Sequence, residues 1–148
     1  MEQAFKYDLL CSNCGQPAAG WQGQELPEAS NAIRWFIEWC CLSCGLVSDD
    51  YGNGPGPESL RRALIERFGG STIAVANRDT RLAILKKLRE IFGFTLSEAL
   101  TALTGSGPDN PLGTTIEVQA IIREIEKQGR PFQRVDTTVA PGGLPDPN

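Results

Sequence analysis

Two short motifs carry the clearest chemistry in this sequence: Cys11-Ser-Asn-Cys14-Gly and Cys41-Leu-Ser-Cys44-Gly. Each pair has two residues between its thiols, a spacing at which one tight turn aims both sulfurs at a single point. The glycine after each pair lets backbone amides approach the sulfurs. Two such turns brought together supply four thiolates in a tetrahedron, which zinc accepts as a closed structural site. Cys11, Cys14, Cys41 and Cys44 are therefore expected to hold one Zn2+; four buried free cysteines would leave the matched turns unexplained. A full thiolate shell leaves no position for water or substrate, so the metal is expected to serve folding rather than catalysis. Cys40 sits beside Cys41, but on a strand its side chain faces the other way, and a packed thiol is expected there rather than a ligand.

The elements that must position these sulfurs follow from punctuation along the chain. The 26 residues between the pairs suit a small antiparallel zinc ribbon over residues 1–55. The run 33–39 reads as a strand with Trp35, Ile37 and Trp39 on one face. The Gly/Pro-rich run 51–57 is expected to hold no regular structure. A linker helix over 56–69 starts at Pro57 and stops at Gly69, with Leu60, Ala63 and Leu64 on one face.

Residues 70–139 carry consistent α+β signals. A strand is expected at 71–76. A helix at 81–92 places Leu85, Leu88 and Ile91 or Phe92 at helical spacing and ends at Gly93. Thr95 with Glu98 forms a capping box before a helix with Leu96, Ala99, Leu100 and Leu103 inward, closed by Gly105. Thr114 with Glu117 forms a second box before Val118, Ile121, Ile122 and Ile125, with a stop at Gly129. A last strand is expected at 132–139, and the Gly/Pro-rich tail 140–148 reads as disordered.

From about 71 to 136, a little under half the chain, these residues resemble the C-terminal domain of the large-subunit ribosomal stalk protein. The match is carried by Ala83-Ile-Leu-Lys-Lys-Leu-Arg-Glu-Ile-Phe-Gly-Phe-Thr-Leu-Ser-Glu-Ala99, the Gly-Thr-headed helix and the Gln-Gly-Arg-Pro-Phe-Gln-Arg-Val strand entry. The resemblance implies a β-α-α-α-β domain that recruits translation factors through first-helix lysines and a glycine-rich turn. The corresponding positions are Lys86, Lys87, Arg89, Gly93 and Glu98. Thr95 and Ser97 stand where that family usually has a second glycine and a lysine.

Charge narrows the partner. Residues 1–55 hold seven acidic and two basic side chains, against a net charge of −4 for the whole chain. A nucleic-acid reader neutralises phosphates with basic groups, so an acidic cysteine-bearing segment disfavours DNA and RNA and suits a basic protein. Asp49, Asp50 and Tyr51 form an acidic-aromatic docking candidate beside Lys86, Lys87 and Arg89; the plain alternatives are an exposed acidic loop and a solvated helix face. With no histidine in the chain, a thiol or metal-dependent enzyme lacks its usual base. The Gly52-Asn-Gly-Pro-Gly run lacks the lysine of a phosphate-binding loop. Unpaired cysteines, and no apolar stretch of membrane-spanning or leader length, point to a cytoplasmic protein of bacterial type. Two functions are expected to compete. One is a non-enzymatic binding protein, most sharply an immunity or antitoxin-like inhibitor of a basic toxin. The other is a translation- or transcription-associated factor.

Overall fold

Alternating side chains over the first 53 residues build four antiparallel strands that pair in sequence order: β1 (Glu2–Leu10), β2 (Pro17–Glu25), β3 (Arg34–Cys40) and β4 (Val47–Asn53). This computed structural model describes residues 1–75 and 77–136. The β1–β2 hairpin closes at Leu10 opposite Pro17, and the β3–β4 hairpin at Cys40 opposite Val47, so a CxxCG turn caps each at the same end of the sheet. Gln3, Phe5, Tyr7, Trp35, Ile37 and Trp39 point to the inner face and are half-buried, with the three β3 residues on one side as expected. The run 51–57 departs from expectation. Tyr51 and Gly52 stay in β4, paired with Phe36 and Trp35, because the missing side chain of Gly52 leaves room for the Trp35 ring.

Helix α1 (Glu58–Phe68) buries Leu60 and Leu64, with Pro57 just outside as its N-cap. A second sheet follows, ordered β6-β5-β7, of β5 (Gly70–Ala74), a two-residue β6 (Gly113–Thr114) and β7 (Gln133–Asp136), all antiparallel. Across it lie α2 (Arg78–Phe92), α3 (Leu96–Gly105) and α4 (Thr115–Lys127). The architecture is thus mixed α+β. Helix α2 starts three residues before the expected 81, because the Asn77 side chain accepts a hydrogen bond from the Thr80 amide at 2.8 Å. Both capping boxes form. Gly93 closes α2 in the left-handed conformation. Ile73, Leu85, Leu88, Ala99, Val118 and Ile122 are among the core residues. Leu96, expected inward, is half-exposed beside Leu82 and Phe94 at the open end of α3. The expected strand continuation 137–139 and the tail 140–148 lie outside the described residues.

One buried carboxylate ties the sheets together. Glu117 of α4 has no exposed surface. Its Oε1 accepts from Arg61 Nε at 2.6 Å and Gln24 Nε2 at 3.0 Å, and its Oε2 from Arg61 Nη2 and the Thr114 amide, both at 3.0 Å. The Thr114 hydroxyl donates to Gln24 Oε1 at 2.6 Å, and Gln24 Nε2 also donates to the Pro55 carbonyl at 2.6 Å. A buried charge is tolerated when paired and fully hydrogen-bonded, and both oxygens are saturated here. Gly113 leaves the space the carboxylate occupies. Beside this network Leu26 and Ile33, flanking the β2–β3 connection, pack on Ile116 and Ala120 of α4. The Arg123 guanidinium donates to the Pro27 and Ser30 carbonyls at 2.6 and 3.0 Å.

Removing the carboxylate leaves the Arg61 guanidinium and the buried Thr114 amide without their shared acceptor. Glu117→Ala is expected to destabilise the chain by about 3–5 kcal/mol, and Glu98→Ala, in the exposed capping box, by about 1 kcal/mol. Denaturant titration of both variants checks the contrast, and equal costs would refute the pinning role.

Candidate metal centre

The two cysteine turns are near copies of each other. In the first, the Cys11 amide donates to the Gln16 carbonyl at 2.8 Å and the Gly15 amide to the Cys11 carbonyl at 2.9 Å. In the second, Cys41 donates to the Leu46 carbonyl at 2.9 Å and Gly45 to the Cys41 carbonyl at 2.8 Å. Gly15 and Gly45 sit at φ 73° and 76°, backbone that a side chain would strain. These turns leave amide hydrogens facing sulfur: those of Gln16 and Leu46 serve Cys14 and Cys44. The hairpins then bring the turns side by side. Cys11 and Cys41 are buried, packed with Ala18, Leu9 and Trp39, while Cys14 and Cys44 lie on the outer side.

All four ligand sulfurs lie within 4.8 Å of one another, and the Cys11–Cys44 and Cys14–Cys41 pairs are each 3.6 Å apart. A disulfide would need about 2 Å. Zinc–sulfur bonds of about 2.3 Å in a tetrahedron give sulfur–sulfur edges of about 3.8 Å. The spacing and donor set are therefore those of a single zinc site.

Electrostatics at the cluster favour a cation there. Cys44 is pulled down to about 6, first by the Leu46 amide and then by the Asn13 side chain. Cys41 is lowered too, chiefly by the Cys44 amide. The Gln16 amide favours the Cys14 thiolate, yet loss of water contact and the three neighbouring cysteines outweigh it and push that thiol up to about 12. The amide dipoles prepare thiolates at Cys41 and Cys44, while the neighbouring sulfurs oppose one at Cys14. A divalent ion resolves the conflict by displacing the remaining protons.

The other candidate residues fall elsewhere. Cys40 is exposed, not packed, because its side of β3 faces away from the inner core. Asp49, Asp50 and Tyr51 lie on edge strand β4 rather than in a loop, with Asp49 opposite Glu38 and Tyr51 opposite Phe36. Lys86 and Arg89 line one cleft with Gly93 and Leu96, and the Arg89 Nε donates to the Phe94 carbonyl at 3.3 Å. Lys87 shares a second cleft with Lys86 and Glu90, and pairs with Glu90 at 3.4 Å near the β2–β3 connection. Glu98 completes its capping box. The Glu117–Arg61 pair was not a sequence candidate; the capping motif marks Glu117 but nothing local marks its distant partners.

The reduced protein should bind one zinc per chain. Cys11→Ser or Cys41→Ser should lose it together with at least about 5 kcal/mol of stability, or about 10–20 °C in Tm, whereas Cys40→Ser should keep both. Elemental analysis and thermal denaturation report these outcomes. Because zinc displaces thiol protons, affinity should rise with pH. Cys44, already a thiolate by pH 7, should contribute its share of that dependence around pH 6, which chelator competition from pH 5 to 8 would show; a flat profile would be inconsistent with thiolate ligation.

Compared with known protein families, with curated proteins and with solved structures, the chain finds no match in any of the three. The stalk-like resemblance of residues 71–136 thus rests on its motif residues alone.

Proposed function

We propose that this chain is a non-enzymatic zinc protein that acts by binding a basic protein partner. The observation that carries the reading is the donor set: four cysteines fill every position of a tetrahedral shell, so the metal's work is to hold two hairpin ends together. The held sheet is acidic and presents side chains outward, which suits capture of a cationic surface. In its sharpest form the reading is an immunity or antitoxin-like inhibitor in the cytoplasm, occluding a basic toxin site. In this reading residues 1–55 are a zinc ribbon, joined by α1 to a stalk-like unit.

A second reading is favoured by one specific observation. The α2–α3 cleft, about 500 Å³, combines Lys86 and Arg89 with Leu82 and Leu96, each 52% exposed. A cation-edged apolar cleft suits a factor of the translation or transcription machinery with an acidic-apolar docking segment.

Affinity isolation from the native cell, with reductant and zinc present and Lys86→Glu/Lys87→Glu as control, separates the two. One stoichiometric basic protein, retained by the double variant, is the expected outcome. Ribosomal proteins, polymerase or GTPase factors, lost in the double variant, would establish the second reading instead.

A further inference from the structure

The inner face of the first sheet is covered: Phe5 meets Phe68 of α1 with ring centroids 6.2 Å apart, and Gln24 reaches Glu117 of α4. The outer face is not. Leu10 is 71% exposed, Val47 68%, Tyr51 74% and Trp21 45%. Register arranges this face in rows across the strands. Lys6, Trp21, Glu38 and Asp49 form one row; Ala4, Gly23, Phe36 and Tyr51 form the next; Asp8, Ala19, Cys40 and Val47 form the row on the other side. The result is an aromatic and aliphatic surface around a central carboxylate pair. A contiguous exposed apolar surface rimmed by polar groups is the kind that marks an interaction site.

Charge says what covers it. Of the two cations on this face, Arg34 is paired with Glu25 at 3.5 Å, and Lys6 lies over the Trp21 ring at 5.9 Å. Glu38 and Asp49 stand directly opposite each other across β3 and β4. Like charges at opposed positions repel in the free protein, and a cation placed between them removes the penalty. A planar guanidinium meets the geometry best, since it accepts two carboxylates along its edges while stacking on an aromatic ring. A second copy of this face would set carboxylates against carboxylates, and nucleic acid would add phosphates to them.

We infer that the outer face of β1–β4 is the docking surface for a protein segment that presents an arginine beside apolar side chains. The arginine is seated on Trp21 and shared by Glu38 and Asp49, and the apolar neighbours lie on Phe36, Tyr51 and Val47. The inference rests on the protein-binding reading above and gives that reading a location and a chemistry.

The test is selection of displayed random peptides against the zinc-loaded full chain, with affinities of selected peptides read from Trp fluorescence. Arginine alternating with apolar residues should be enriched. Glu38→Gln/Asp49→Asn and Trp21→Ala should each weaken binding at least tenfold. The double variant should keep or raise Tm, because it removes a like-charge clash, so lost binding cannot be lost folding. Enriched acidic peptides, or affinities indifferent to all three changes, would overturn the inference. Peptides blocked only by Lys86→Glu would overturn it while leaving the protein-binding reading intact, and failure to enrich any peptide would count against both. A dimer in sedimentation that Trp21→Ala dissolves would assign the face to a second copy and also overturn the inference.

Discussion

Four sulfurs held within 4.8 Å set the terms for the first third of this protein. Amide dipoles from the two turns favour thiolates, and the repulsion among them opposes the last deprotonations. A zinc ion is what makes both tendencies compatible. With the ion in place, the turn ends of the two hairpins become one rigid end. The pairing of β2 with β3 then runs from that anchored end toward Glu25 and Arg34. A sheet with so few large buried residues needs such a staple, since among the described residues Cys11, Ala18 and Cys41 are the buried members of the cluster beneath the turns.

The opposite end of the same strands is held by different physics. Gln24 and Glu117 are both fully buried, and Arg61 closes a bidentate pair from α1. Such a network is intolerant of partial satisfaction, so it selects one arrangement of β2, α1 and α4 over sliding alternatives. Metal at one end and a saturated carboxylate at the other leave the strands little freedom. The outer face is thereby a prearranged surface, and a partner binding there loses little free energy to ordering it.

What was readable in advance was short-range. The CxxCG turns, both capping boxes and the helix stops at Gly69, Gly93 and Gly129 involve residues a few positions apart, and each formed. Period-two alternation correctly put Trp35, Ile37 and Trp39 on one side of β3. It could not say which side would be covered, and so Cys40 was expected to pack where it is exposed. Gly52 looked like a strand breaker, yet it is the residue that admits the Trp35 ring, a contact formed only once β3 and β4 have paired.

Glu117 shows the division most clearly. By sequence alone it is the third residue of a helix, with its carboxylate turned back to the Thr114 amide, and the structure keeps that bond. Its partners Arg61 and Gln24 are separated from it by 56 and 93 residues, and no local pattern connects them. By itself the sequence determined the ligand set, the caps and the alternation, because turn and helix geometry bring those groups together whatever the rest of the chain does. Tertiary structure decided which carboxylate is buried, which thiol is exposed and which sheet face is open. Those outcomes depend on what packs above each residue, and packing is a property of distant segments meeting.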